Sequence, residues 1–259
     1  QLTGITDAYQ LGIAATVLYL GAVGDRYGRK RMLLLGAFLC VPFSLMSAWS
    51  PTAVFLIGAQ IAVGVSGGML YPTTLSMITA LWRGKKLTAA IALWTGIGTG
   101  ASVLGPILGG WLLGNYWWGS VFLITVPLAI VVLVLGFVVL PKSAAEHNEP
   151  VDHQGGTLSV IMISSLVLGI VMLPQGITIT VGVLFAVMLV SGFLFVRRER
   201  RAPNPLFDLK MAAIPTFWVA FVAGLVAFGA LVGAMFIGQQ FTQNVLMYTP
   251  LHAVLLTLA

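Results

Sequence analysis

Charge is scarce in this sequence. Only 8% of its 259 residues are Asp, Glu, Lys or Arg, whereas 59% are hydrophobic. A soluble domain carries roughly a quarter of charged residues to keep its surface in water. Together with a mean hydropathy of +1.01, this shortage argues against a soluble domain. The length of the apolar runs predicts an all-α integral membrane protein instead.

Cysteine and the usual catalytic motifs are also nearly absent. The single cysteine, Cys40, lies within an apolar run, so neither a disulfide framework nor a cysteine metal site is possible. The chain has no Walker lysine pattern, which argues against ATP-driven transport. We therefore expect no enzyme activity, no catalytic residue, no cofactor and no metal site.

Eight apolar runs are long enough to cross a membrane as helices, since about 20 residues suffice. An incomplete ninth run begins near Thr249. The eight predicted spans are Thr6–Val23, Met32–Ser50, Ala53–Leu81, Leu87–Asn115, Ser120–Leu140, Leu158–Leu173, Ile179–Val196 and Thr216–Phe241.

Positive charge falls on every second connection between these runs. All 13 Lys and Arg residues therefore lie on one side of the membrane, and the positive-inside rule makes that side the cytoplasm. Because the cations border the spans, the formal charge of +6 indicates a membrane topology and no nucleic-acid partner. The basic connections are Arg26–Arg31, Arg83–Lys86, Lys142 and Arg197–Lys210.

The octet Gly24–Arg31, with the sequence GDRYGRKR, separates the first two runs. Its two glycines predict a tight turn, and its cations require that the turn lies in water. A loop that only sets membrane orientation would explain the charges but not the ordered pattern. The octet resembles the signature loop between the second and third helices of the major facilitator superfamily. The resemblance implies a conformational latch that stabilises the outward-open state, and the matching residues are Gly24, Asp25, Arg26, Gly28 and Arg29.

The fourth run is rich in glycine. The pairs Gly96/Gly100, Gly105/Gly109 and Gly110/Gly114 are four residues apart, so each pair shares a helix face and predicts close helix packing. The string that begins at Gly105 also resembles the antiporter motif of facilitator-superfamily exporters. The resemblance favours export, and the residues that carry it are Gly105, Pro106, Gly109 and Gly110.

Polar residues inside the runs are candidates for binding. Gln60 lies four residues before Gly64, where the family has an arginine associated with proton coupling, and a neutral amide cannot supply that charge. Asp7 is the one acid predicted at membrane depth, on the same helix face as Gln10; it could bind a lipophilic cation or a proton, or lie at the outer interface. The predicted substrate or proton residues are Asp7, Gln10, Gln60, Tyr71 and Trp94.

One run precedes the octet where the family has two, so the resemblance implies an interior piece of a longer transporter. Two extra spans point to the fourteen-helix drug:H+ antiporter branch. The predicted organisation is an amino-terminal bundle lacking its first helix (1–140), a cytoplasmic loop (141–156), two linker helices (157–196), a cytoplasmic connector (197–215) and the start of the carboxy-terminal bundle (216–259).

The resemblance implies a plasma-membrane transporter, of the bacterial inner membrane, that exports small lipophilic or cationic compounds in exchange for protons. Its partners would be the small-molecule substrate, protons, the lipid bilayer and the remaining half of the same transporter. Two alternatives stay open: a facilitator-superfamily transporter of one metabolite or solute with altered proton coupling, or a non-transporting membrane receptor or scaffold that has kept the fold.

Overall fold

A computed structural model describes residues 2–140, 150–207 and 213–248. Part of the predicted loop (141–149), part of the predicted connector (208–212) and the incomplete ninth run from Thr249 lie outside these residues. Every secondary-structure element in the described residues is a helix, and none is a strand. This confirms the all-α prediction.

The helices follow the predicted runs closely, and we number them in chain order. A single 3-10 turn, Leu173–Gln175, follows the seventh. The α-helices are α1 (Leu2–Tyr27), α2 (Arg29–Ala48), α3 (Ala53–Leu81), α4 (Lys85–Asn115), α5 (Ser120–Leu123), α6 (Thr125–Val139), α7 (His153–Met172), α8 (Ile179–Glu199) and α9 (Pro215–Asn244).

Seven of the described segments are long and apolar enough to cross a membrane: α2, α3, α4, the α5–α6 pair, α7, α8 and α9. The remaining long helix, α1, has 26 residues, which at 1.5 Å per residue exceeds the thickness of a bilayer core. It interrupts its apolar run with Asp7 and Gln10. The described part of the chain therefore has the helix lengths of a multi-span membrane bundle.

The octet is not the eight-residue turn that the sequence predicted. The last residues of α1 include Gly24, and α2 begins at Arg29, so only Gly28 interrupts the helices. Gly28 has a φ of 113°, which a side chain would oppose. Gly24 packs against α3, since a Cβ there would lie 3.4 Å from Thr73 Oγ1, at ordinary contact distance.

The predicted span Ser120–Leu140 is divided into α5 and α6 at Ile124. The sequence explains the interruption, because Pro127 has no N–H to donate to the carbonyl of Leu123, four residues earlier. The two short helices still form one apolar segment, Ser120–Val139.

The chain forms two compact units. The first contains residues 1–87 and 122–207, and the second contains residues 88–121 and 208–259. In the first unit α1 packs along α3, α2 packs on α3 and α6, and α7 packs on α8 and α1. A small buried cluster of Cys40, Val63 and Ala129 joins α2, α3 and α6.

Glycine allows α1 and α3 to approach until their backbones touch. A Cβ on Gly12 would lie 3.0 Å from the Cα of Gly64, and a Cβ on Gly64 would overlap the carbonyl oxygen of Tyr9. Further along, Gly68 lies against Thr16 and Gly21 lies against Pro72. Because the residue numbers of α1 and those of the α3 residues that they contact increase in the same direction, the two helices run parallel. We call this contact the α1–α3 seam.

Most glycines of α4 have open surroundings in the structure. Around Gly96, Gly100, Gly105 and Gly114, no described atom lies within 4 Å of where a Cβ would be. Close packing of this face therefore stays a prediction. The spacing places each pair on one face of α4, but close packing also requires the backbone of a second helix against that face.

Candidate functional site

The octet brings three helices together through one carboxylate. Asp25, in the last turn of α1, accepts a hydrogen bond from Arg29 Nε at 2.8 Å and another from Ser76 Oγ at 2.7 Å, both on its Oδ1 atom. A negative charge at a helix C-terminus is unfavourable unless a cation or donor offsets it. Arg29, at the start of α2, is that cation, and its side chain is 12% exposed.

Ser76 is the residue that sequence reasoning missed. It lies on α3, 51 residues from Asp25, and no local pattern links the two positions. It belongs to a polar end of α3 that also contains Thr73, and Thr73 donates its hydroxyl to the carbonyl of Met69. The parallel α1–α3 seam brings Ser76 to the level of Asp25.

The cations of the octet bind backbone carbonyls of other segments. Arg26 Nη1 donates to the carbonyl of Pro150 at 2.7 Å. Lys30 Nζ donates to the carbonyls of Leu140 and Phe137, at 2.5 and 3.1 Å. Those two carbonyls close the C-terminal end of α6, where a cation is stabilising. The octet thus fixes the ends of helices as well as reversing the chain.

The hairpin of α7 and α8 is attached beside the octet. Tyr19 of α1 and His153 Nδ1 share a hydrogen bond of 2.7 Å. Asp152, which caps α7, accepts from Arg198 Nε at 2.9 Å and from Arg198 Nη2 at 3.2 Å. The octet, residues 150–156 and the end of α8 therefore lie at the same end of the first unit.

The pKa of Asp152 follows from these contacts. Burial opposes ionisation, but the hydrogen bonds from Arg198 and from the backbone N–H of Gly155 outweigh it. The pKa of Asp152 is therefore lower than its ordinary value. Asp152 carries a negative charge at neutral pH and holds α7 against α8 as an ion pair.

A cavity of about 490 Å³ opens between the octet and the connector. Its walls combine apolar side chains of α1 with one carboxylate and one guanidinium from the octet. The lining residues are Val17, Leu18, Gly21, Ala22, Asp25, Arg26, Pro72, Pro205 and Leu206.

Four of the five predicted substrate or proton residues belong to the first unit, where they lie at different levels of α1 and α3. Asp7 and Gln10 lie near the start of α1, whereas Tyr71 lies far along α3 with 59% of its surface exposed. Gln60 is buried at 8% exposure, one turn before Gly64, which places it at the depth of Ala8 on the parallel α1. Trp94 belongs to α4 in the second unit, so the structure leaves the role of these residues a prediction.

The antiporter motif residues lie on α4, which continues without interruption through Pro106. Gly109 is buried, and a Cβ there would lie 3.8 Å from Val121 of α5. Gly105 faces open space, and Gly110 is half-buried. Among the described residues, no three His, Cys, Asp or Glu side chains are grouped so that they could hold a metal ion.

Comparison with known proteins agrees with the helix pattern. Residues 2–258 match the family model of the Major Facilitator Superfamily. The chain is 37% identical over 256 residues to the multidrug efflux pump LfrA of Mycolicibacterium smegmatis, covering 98% of this chain and 51% of that protein. It is 32% identical over 257 residues to the methyl viologen resistance protein SmvA of Salmonella typhimurium, covering 98% of this chain and 52% of SmvA.

A third relative is the multidrug resistance protein Stp of Mycobacterium tuberculosis, at 29% identity over 96% of this chain and 47% of Stp. The chain spans about half the length of the curated relatives that it matches. Its family is nonetheless settled by the match along almost all of its own residues: this chain is an integral membrane protein that belongs to the Major Facilitator Superfamily.

Proposed function

We propose that this chain is part of a secondary active transporter that exports small lipophilic or cationic compounds in exchange for protons. The names of three relatives, a multidrug efflux pump, a methyl viologen resistance protein and a multidrug resistance protein, support the export of such compounds. Methyl viologen is itself an organic dication. Transport would proceed by alternating access, with helical bundles that rock around a central site.

The hydrogen-bonded Asp25 is the observation that supports a conformational role for the octet. One oxygen atom joins the end of α1, the start of α2 and the distal part of α3. A rocking motion needs each bundle to move as a rigid body, and this carboxylate fixes three helices at one end. We infer that Asp25 and Arg29 keep the bundle intact while other helices move against it.

We place this end of the bundle on the cytoplasmic side of the membrane. The connections that meet there, around Arg26, Lys30 and Arg198, are rich in cations, as the positive-inside rule expects of cytoplasmic segments. The substrate would then enter from the side of the octet and leave from the side of Asp7.

Gln60 keeps a second candidate open, a transporter of one metabolite with altered proton coupling. Gln60 is buried but brings no charge to the position where the family has an arginine. Asp7 lies at the same depth on the parallel helix α1, and it is the acid that would carry protons in place of the missing arginine. We therefore expect Asp7 to be essential for exchange if protons drive transport.

The test uses the complete transporter, obtained by reading the coding DNA on both sides of Gln1 and Ala259. Everted membrane vesicles would be given a proton gradient, and ethidium uptake would be followed for the native protein, Asp25→Asn and Asp7→Asn. We expect Asp25→Asn to reduce the rate about tenfold, which corresponds to about 1.4 kcal/mol in the activation barrier. Asp7→Asn should abolish gradient-dependent uptake.

The outcomes separate the candidates. Gradient-dependent uptake that survives in Asp7→Asn would remove Asp7 from the mechanism but keep the antiporter. Failure of the native protein to move ethidium, at normal expression, would favour the metabolite transporter. Full activity of Asp25→Asn would overturn the latch. Thr79→Ala, an exposed substitution near Ser76 on α3, is the control for a general loss of folding.

A further inference from the structure

Glu199 is a buried acid that the proposed transport mechanism does not use. It occupies the last turn of α8, after the apolar stretch of that helix ends at Val196, and it is only 4% exposed. Its Oε2 atom accepts a hydrogen bond from the backbone N–H of Phe207 at 3.1 Å. Its Oε1 atom is buried without a hydrogen-bond partner in the described part of the chain.

Among the described residues, no cation forms an ion pair with this carboxyl group. Arg198, the neighbouring cation, gives both of its hydrogen bonds to Asp152. Asp152 itself is close, because Glu199 Oε1 and Asp152 Oδ2 both lie 3.0 Å from the point where a side chain on Gly155 would begin. From α7, Glu199 therefore faces a carboxylate, and from the connector it faces the backbone amides of Phe207 and Leu206.

This arrangement favours a neutral Glu199. A buried carboxylate oxygen without a donor costs far more free energy than a buried hydroxyl, and a like charge within a few ångströms adds to that cost. Asp152 keeps the negative charge of the cluster because it has the guanidinium. A proton on Oε1 of Glu199 removes the repulsion and leaves Oε2 free to accept from Phe207.

We propose that Glu199 is a proton-binding site whose protonated form holds connector residues 203–207 against the α7–α8 hairpin and whose ionised form releases them. Loss of the proton to water creates a second carboxylate beside Asp152 in a buried space. The two acids then separate, and the bond to Phe207 N–H is lost as the end of α8 opens. The connector that moves is the one that lines the cavity beside Asp25, through Pro205 and Leu206. This inference does not depend on the proposed substrate or on proton-driven export.

The test follows the connector directly. A fluorophore sensitive to its surroundings would be attached at Pro203→Cys, an exposed position, in a Cys40→Ser background. Fluorescence would be recorded from about pH 4 to 9 in detergent and in lipid nanodiscs. We expect one transition with a midpoint above the ordinary glutamate pKa of about 4.3. Glu199→Gln should abolish it and show the low-pH signal throughout.

Two further variants identify the titrating group. His153 is another ionisable side chain at the start of α7 and is bonded to Tyr19, so His153→Gln must leave the transition in place. Asp152→Asn removes one negative charge and frees Arg198 to pair with Glu199, so the midpoint should fall. If Glu199→Gln does not fold, the lower midpoint of Asp152→Asn identifies Glu199 as the titrating group.

Three results would overturn the proposal. They are a native protein without a transition, a transition that persists in a folded Glu199→Gln protein, and a transition that disappears in His153→Gln. None of these measurements uses transport as its readout, so failure of the export proposal would leave them unaffected.

Discussion

The α1–α3 seam and α4 contain the same kind of sequence and have opposite surroundings. Gly64 and Gly68 on α3 are four residues apart, like Gly96 and Gly100 on α4. A side chain on Gly64 would meet the backbone of α1, whereas one on Gly100 would meet no described atom within 4 Å. Glycine spacing therefore predicts a face on which helices can approach closely, but it does not predict which glycine face is in contact.

The difference has a physical origin. Small residues at intervals of four remove the steric barrier to close packing, and the gain comes only when a second backbone occupies the space. In the seam that backbone brings its own glycine, Gly12, to the crossing point. The matching glycine on the partner helix is the feature that distinguishes the two regions.

The largest effect should come from a methyl group added inside the seam. Gly64→Ala places a Cβ against the backbone of Tyr9 and Gly12, which cannot move without separating α1 from α3. Overpacking of this kind costs about 1–3 kcal/mol, so the midpoint of thermal unfolding in detergent should fall by several degrees.

Gly58→Ala is the matched control, because Gly58 lies on the same helix and has no described atom within 4 Å of its Cβ position. Its midpoint should stay close to that of the native protein. Equal midpoints for the two variants would show that the seam is not closely packed.

A smaller effect is expected where the seam ends in a hydrogen bond. Ser76→Ala removes the donor to Asp25 and leaves Arg29 as the described partner of Oδ1. The free energy of unfolding should fall by about 1 kcal/mol. Thr79→Ala, which removes a hydroxyl bonded only to the local carbonyl of Ser76, should change it by less than half as much. Larger losses for Thr79→Ala, in the same unfolding assay, would contradict the assignment.

The sequence predicted what depends on local pattern. Both ends of α3 and the start of α8 followed from the lengths of the apolar runs. The division of the fifth span at Ile124 was missed, although Pro127 gives a local reason for it.

Contacts between distant segments could not be predicted. The bond from Ser76 to Asp25 and the bond from Arg26 to Pro150 depend on the register in which α1 lies along α3 and α7. Apolar periodicity marks the faces of helices but leaves their relative sliding undetermined. Asp152 and Glu199 were likewise placed in solvated connections. Nothing in the sequence indicates that the end of α8 packs against Asp152.

The smallest effect is expected on α4, and it tests the comparison most directly. Gly100→Ala adds a methyl group where no described atom lies within 4 Å, so the free energy of unfolding of this chain should change by less than about 0.5 kcal/mol. Repeating the measurement in the complete transporter separates two explanations for the glycine face. If the variant is as harmless there, the glycines of α4 have no close partner in that state, and their role lies in bending or movement. If it lowers the midpoint as much as Gly64→Ala does, the α4 glycines form a second seam with helices outside this chain.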